Sequence, residues 1–377
     1  MTTPRPAGDP ACSPVGRTRA VRAGIGTDDA HNAVTPPIYL STSYTFDGLA
    51  ERGRYDYSRS GNPTRDLFGE AVASLEGGAT GCVTSSGMSA INTTVQALLP
   101  PGGTLLAPVD CYGGSWRLFD ALERTGRLKL RLVDFSDADA AAAAIAAGAD
   151  LVWLETPSNP LLRITDISTV TAAAHAAGAL VVADNTFATP VHQRPLESGV
   201  DVVVHSATKY LSGHSDVVAG VIVSADADRG AALGWWANTL GATAGAFDSY
   251  LALRGLRTLH LRVAAAEAGA AAVVELLSSH PAVRTVHYPG FGAMATFEVA
   301  DRAAVERVLD GLHLFCLAES LGGVESLISH PATMTHAAMS DAAQAGAGIT
   351  DGMLRLSIGI EDPADLVADL RAGLDRI

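Results

Sequence analysis

A chain of 377 residues exceeds one ordinary domain, so two packed units are expected, although one large α/β body with an appendage fits the same length. With 48% hydrophobic and 18% charged residues, it can bury a sizeable core and is no disordered polyelectrolyte. Its formal net charge of −14 argues against nucleic acid, whose phosphates need clustered Lys and Arg, but leaves room for a small anion in a local positive pocket.

Cys12, Cys82, Cys111 and Cys316 are scattered with no C-x-x-C pair, so neither a disulfide framework nor a metal site is expected, and a reducing cytoplasm is. Arg5, Arg17, Arg19 and Arg22 precede no apolar run, which speaks against a signal peptide, and no stretch is free enough of polar residues to span a membrane.

Residues 1–24 read as a loose arm rich in Pro, Arg and Gly. Residues 25–65 carry many turn formers, including Pro36-Pro37 and Gly61-Asn62-Pro63, and are expected to lie extended on another surface. From residue 66 the pattern changes to short aliphatic runs alternating with Ala-rich helical segments. The runs are Thr104–Ala107, Lys129–Val133, Leu151–Glu155, Leu180–Ala183, Asp201–His205 and Gly220–Ser224. The segments between them include Asp137–Ala147 and Ile167–Ala177. That alternation predicts a mostly parallel sheet covered on both faces. A helical stretch over Ala252–Ser279 could link it to a second, α+β unit. That unit has strands near Val283–Tyr288, Ala293–Val299, Leu314–Ala318 and Leu354–Ile358, with helices near Ala303–Leu312 and Pro363–Arg376. The expected division is an arm over 1–65, a large domain over 66–250 and a small domain over 251–377.

The segment most informative about chemistry runs from Val202 to Asp216, where a buried strand ends at His205 and is followed by Ser206, Thr208 and Lys209. A lysine after a strand is by itself usually a solvated charge, but the end of a parallel strand is where ligands sit in open α/β sheets. Two chemistries fit. Lys209 could hold pyridoxal phosphate as a Schiff base, with Ser206 and Thr208 on the phosphate. Alternatively Ser206 could be the nucleophile of an S-x-x-K site, but the S-D-N and K-T-G partners of that site are missing. The first reading needs further parts, and the sequence offers them. Asp184, also after a buried strand, could face the pyridine nitrogen, though an Asx turn would explain it equally well. Ser85–Ala90 could start a helix whose amides hold phosphate, and Tyr112 could lie flat on the ring. A dinucleotide reading fails, because the one near match, Gly290–Ala295, precedes a strand instead of opening a helix.

At these residues the sequence resembles the Cys/Met-metabolism family of pyridoxal-phosphate enzymes, from about residue 20 to the end. The motifs are Tyr57-Ser-Arg59-Ser-Gly-Asn-Pro-Thr, Ser86-Gly-Met88, Cys111-Tyr-Gly-Gly, Glu155-Thr-Pro-Ser-Asn159-Pro, Asp184-Asn-Thr, Ser206-Ala-Thr-Lys209-Tyr and Ser320-Leu-Gly-Gly-Val-Glu325-Ser. Within the family the chain looks most like the bacterial cystathionine γ-synthases, on Asp110–Asp120, Trp235–Asn238, Gly245–Tyr250 and Gly322–His330. Gly114 stands where methionine γ-lyases carry cysteine.

The resemblance implies an aspartate-aminotransferase-like (fold type I) large domain, a small C-terminal domain and a homotetramer of two active dimers. It implies catalytic roles for Lys209, Tyr112 and Asp184, and cofactor contacts from Gly87, Met88, Ser206, Thr208 and Asn159. Tyr57 and Arg59 would reach the phosphate of the neighbouring subunit. Arg355 would grip the substrate carboxylate beside Ser320, with Arg117 and Glu325 nearer the distal end. The implied reaction is γ-replacement on an O-acyl-L-homoserine, such as the succinyl ester, by cysteine to give cystathionine. The alternatives are a cystathionine γ-lyase, a specialised γ-substitution or γ-elimination enzyme, or a catalytically silent protein of the same fold. The sequence departs from the family at one place: Tyr288-Pro-Gly290 runs straight into Phe291-Gly-Ala-Met294 with no intervening helix, which predicts a hairpin.

Overall fold

The structure, a computed structural model, describes residues 16–377; Arg5 and Cys12, with the first part of the expected loose arm, lie outside the described residues. The described residues open with a short helix, α1 (Gly16–Arg22), within the stretch where a loose arm was expected. It buries Ala20, and Arg19 donates to the Ser74 carbonyl, so this end is fastened to the body. Residues 25–62 then follow turns and extended chain, with an isolated bridge from Ser43 to Tyr57. Asn62 stops that run: its side chain accepts from the Thr64 and Arg65 amides, and Pro63 opens α2 (Pro63–Glu76).

The large unit continues as β1 (Thr80–Thr84), α3 (Gly87–Leu98), β2 (Thr104–Pro108), α4 (Gly113–Arg124), β3 (Lys129–Val133), α5 (Ala138–Ala146) and β4 (Leu151–Glu155). It is completed by α6 (Ile167–Ala176), β5 (Leu180–Asp184), α7 (Thr189–His192), β6 (Val202–Ser206), β7 (Gly220–Ser224) and α8 (Ala227–Leu240). Its seven strands order as β1-β7-β6-β5-β4-β2-β3, with β7 antiparallel to both neighbours and the other described pairings parallel. Every residue of β4 is buried, as expected of a strand covered on both faces. The predicted runs all form strands; β1 was missed. Its Gly81 sits where a Cβ would lie 2.0 Å from the Gly69 carbonyl oxygen, so tight packing against α2 removed the aliphatic signal.

The expected Ala252–Ser279 helix is two helices, α9 (Ala246–Leu256) and α10 (Leu259–Ser279). At the break Arg262 donates to the Gly255 carbonyl and the Thr258 hydroxyl, satisfying groups the interrupted helix frees. The small unit contains β8 (Thr285–His287), β9 (Met294–Glu298), α11 (Arg302–Leu309), β10 (Cys316–Leu317), β11 (Leu327–Ser329), α12 (Asp341–Ala347), β12 (Met353–Ser357) and α13 (Pro363–Leu374). Its sheet orders as β10-β11-β12-β9-β8. The predicted hairpin is present: β8 and β9 pair from Thr285↔Glu298 to His287↔Thr296, and Gly290 takes the left-handed φ of 89° in the connection. Among the described residues no helix is long and apolar enough to cross a membrane, and no cluster of side chains suits a metal.

Candidate active site

Three parallel strands end side by side, and their last residues are Glu155 (β4), Asp184 (β5) and Ser206 (β6). Facing them, α3 starts at Ser86, whose hydroxyl accepts the Ser89 amide. At its first position a Cβ on Gly87 would lie 2.8 Å from the Ser206 Cβ, so only glycine lets the helix start approach the strand. Backbone amides of that first turn and the Ser206 and Thr208 hydroxyls thus converge, which suits a phosphate. The Thr208 hydroxyl is itself fixed, donating to the Ala219 carbonyl and accepting its amide.

Asp184 accepts the Thr186 amide and is otherwise enclosed. Burial holds its carboxyl above the ordinary range, the Thr186 contacts opposing. Beside it, burial and the Asp184 charge push Glu155 well above the carboxylate range, although Glu155 accepts the Tyr112 amide at 3.1 and 2.9 Å. A buried carboxylate pair of this kind calls for a cation, and a protonated ring nitrogen facing Asp184 would supply one.

The Lys209 ammonium donates to the Ser320 hydroxyl at 2.7 Å. Burial, with the Arg355 charge added, lowers its pKa to about 8. Arg355, on the fully buried β12, donates to the Asn159 side chain at 2.9 Å and to the Ser320 carbonyl at 3.1 Å. These partners are neutral, its Nε has none, and burial brings its pKa down to about 10. A buried guanidinium with no salt bridge among the described residues is poised for a carboxylate. Ser320 holds φ 90°, a strained value for a residue with a side chain, as is common where structure serves a site.

One cavity of about 600 Å³ joins these groups. Gly87, Met88, Asp184, Ser206, Thr208 and Lys209 line one part of it. Arg117, Asn159, Ser320 and Arg355 line the cavity too, as does the exposed Tyr112. Gly114 gives that ring its place: a Cβ there would lie 2.5 Å from the Tyr112 Cε1.

Three of the expected residues do not line this cavity, and two of them, Tyr57 and Arg59, were expected at a neighbouring subunit's phosphate. Arg59 stacks on Tyr57 and donates to the Asn238 carbonyl and side chain, and neither lines the cavity of its own chain. Glu325, expected at the distal end of the substrate, instead accepts the Ser215 hydroxyl and does not line the cavity. The left-handed Ser320 and Gly322 (φ 74°) carry the chain away against Tyr210. The carboxylate that this loop does place at the cavity is Glu319. Its position next to Ser320 was the available signal.

Sequence reasoning also missed residues 331–339, an irregular segment that places Met334, Thr335 and Ala338 on the cavity. It is held by His336, whose Nε2 donates to the Asn159 carbonyl at 2.9 Å while Nδ1 accepts the Thr335 hydroxyl. Burial, then the Arg355 charge, depress its pKa to about 4, so the ring is neutral near pH 7. Gly113 admits the segment, since a Cβ there would lie 2.3 Å from the Thr335 carbonyl oxygen. No periodic pattern marks such a loop.

Comparison with known proteins agrees with this chemistry. Residues 17–375 match the model of the Cys/Met metabolism PLP-dependent enzyme family. The chain is 51% identical over 373 residues to the cystathionine gamma-synthase of Escherichia coli (strain K12), covering 94% of this chain and 97% of that protein. It is 43% identical over 377 residues to the cystathionine beta-lyase of Lactococcus lactis subsp. cremoris (strain MG1363), covering 96% and 99%. A crystal structure of cystathionine gamma synthase from Xanthomonas oryzae pv. oryzae, in complex with aminoacrylate and cysteine, superposes with a TM-score of 0.95 at 54% identity, covering 97% of this chain and 99% of that one.

Proposed function

Since the chain belongs to the Cys/Met-metabolism PLP-dependent enzymes, with pyridoxal 5'-phosphate as its cofactor, we propose that it performs γ-replacement on an O-acyl-L-homoserine with cysteine, forming cystathionine. The observation that carries this reading is a cavity lined by two guanidinium groups, the buried Arg355 and the exposed Arg117, together with Lys209 and Tyr112. That layout suits an amino acid with a second carboxylate on its side chain, such as the succinyl ester.

Bound pyridoxal phosphate supplies an electron sink that stabilises negative charge at the carbon bearing the substrate amine. Asp184 would face its ring nitrogen, Tyr112 its ring, and Gly87, Met88, Ser206 and Thr208 its phosphate, with Asn159 on the phenolic side. Arg355 takes the α-carboxylate as a two-pronged donor beside Ser320. Lys209, with a pKa of about 8, can both accept and return a proton near neutral pH. Its amine moves the protons at the α- and β-carbons. The γ C–O bond then breaks, the acyl carboxylate leaves, and the cysteine sulfur forms the γ C–S bond as its thiol proton is lost. Met334, Thr335 and Ala338 of residues 331–339 form part of the cavity wall beside these groups.

Tyr57 and Arg59 complete the site of a second copy, and the assembly is a homotetramer of two such pairs. In support, both residues lie outside the cavity of their own chain, and the same arm exposes Leu40 and Phe46, at 73% and 51%.

The test is to incubate the holoenzyme with O-succinyl-L-homoserine, with and without cysteine, and to identify products by mass. Cystathionine with cysteine, and 2-oxobutyrate only without it, is the expected result. An inert ester together with cleavage of cystathionine would replace this reading by a lyase.

A further inference from the structure

The hydrogen-bonded ladder between β5 and β6 ends at Asp184↔Val204, followed by one last bond from the Asn185 amide to the Val204 carbonyl. The groups that matter begin there: Asp184 on one strand, and Ser206, Thr208 and Lys209 on the other. Pyridoxal phosphate would touch both ends at once, and its covalent frame fixes the distance between its ring nitrogen and its phosphate. The two strand ends must therefore keep a set spacing just where the backbone ladder stops supplying it.

Side chains take over from the ladder, and they meet on one carboxylate. Asn185, next to Asp184, donates its amide to Glu76 Oε1 at 2.7 Å. His205, next to Ser206, donates Nε2 to the same oxygen at 2.6 Å. All three residues are closed off from solvent, at 0%, 0% and 1% exposure for Glu76, Asn185 and His205. Gln193 braces Asn185 by accepting at its carbonyl and donating from its amide. The Thr186 hydroxyl accepts the Ser206 amide, a further tie between the strand ends.

Glu76 is a costly residue to keep. It is the last residue of α2, where a negative charge opposes the helix dipole, and it is fully buried with Oε2 lacking a partner. A simple helix end needs none of this. His205 is also among the residues that line the cavity, and its Nδ1 has no partner.

We propose that Glu76 is a positioning residue for the cofactor: from outside the cavity, it clamps the ends of β5 and β6 through Asn185 and His205, and so sets the spacing between Asp184 and the Ser206–Lys209 segment. This rests on the cofactor assignment and not on the identity of the substrate.

The experiment uses the full-length protein stripped of cofactor and titrated with pyridoxal phosphate. It reads the dissociation constant and the pH midpoint of the bound cofactor's absorption band, which reports its contact with Asp184. Loss of two charge-assisted bonds in Glu76→Ala should raise the dissociation constant about tenfold or more and move the midpoint. Glu76→Gln keeps an acceptor oxygen in place and should restore both readings to within about threefold of wild type. If Glu76→Ala does not fold, Asn185→Ala, which leaves the Glu76–His205 pair intact, should move both readings the same way by a smaller factor. Folded variants with an unchanged midpoint, or a Glu76→Gln as impaired as Glu76→Ala, would overturn the proposal. Peptide mapping of the reduced wild-type holoenzyme separates this failure from a wrong cofactor site: label on Lys209 keeps the site whatever the Glu76 variants do.

Discussion

The floor and the rim of the cavity are built differently. The floor consists of strand ends and a helix start: Asp184 and Ser206 close β5 and β6, and Gly87 opens α3. Each sits where a regular strand or helix ends or begins, so its place follows from register up to that point, beyond which side-chain bonds tie β5 to β6. The rim consists of irregular chain: Glu319 and Ser320 before a left-handed turn, and residues 331–339 after β11. Side-chain anchors hold it, above all His336 on Asn159 and Arg355 on Ser320. The difference teaches where each kind of chemistry is kept. The groups proposed to hold the cofactor stand on rigid elements, whereas much of the remaining cavity wall is made of loops that can vary without disturbing the sheet.

Breaking the floor should have the largest effect. Lys209→Ala should lower turnover by about a thousandfold or more and abolish covalent attachment of the cofactor, which absorbance of the purified protein will show. A step toward the rim, Arg355→Lys keeps the charge but loses the fork. Its kcat/KM should fall roughly a hundredfold while cofactor affinity stays near wild type.

Rim substitutions sharpen the comparison. Glu319→Gln should change KM for the acyl ester about threefold to tenfold, with kcat less affected, because Glu319 lines the cavity. Glu325→Gln should leave both within about twofold, because Glu325 is spent on Ser215. Steady-state kinetics on the pair would settle which carboxylate faces substrate.

The smallest effect concerns pH. His336 titrates at about 4 in the fold, below the ordinary value near 6.5, so the unfolded chain binds more protons between those values. Its contribution is fully present above about pH 6.5 and is lost as pH falls toward 4, by roughly 1–2 kcal/mol between pH 6.5 and 5. Melting curves across that range should show the loss in the wild type and a flatter dependence in His336→Gln.

The floor was legible in the sequence because it rests on local patterns. Aliphatic runs that stop just before Asp184 and Ser206 announce strand ends, and Ser86-Gly87 announces a helix start. The hairpin at Pro289-Gly290 was legible for the same reason. The rim was not. Glu319 and Glu325 lie close in sequence, and only the backbone at Ser320 and Gly322 decides which of them turns inward. His336 lies in a segment without periodicity, and its partner Asn159 is distant in the chain. Glu76 was hidden most completely, since a glutamate at the end of a helix looks like an ordinary surface residue until the sheet brings Asn185 and His205 to it.

The central claim is that Lys209 is the residue that holds the cofactor, and it can be tested directly. The holoenzyme would be reduced with borohydride, digested and mapped by mass. The account predicts the added mass of the reduced cofactor on the peptide carrying Lys209 and on no other. An unmodified Lys209 peptide, or the added mass on Lys129, would contradict it.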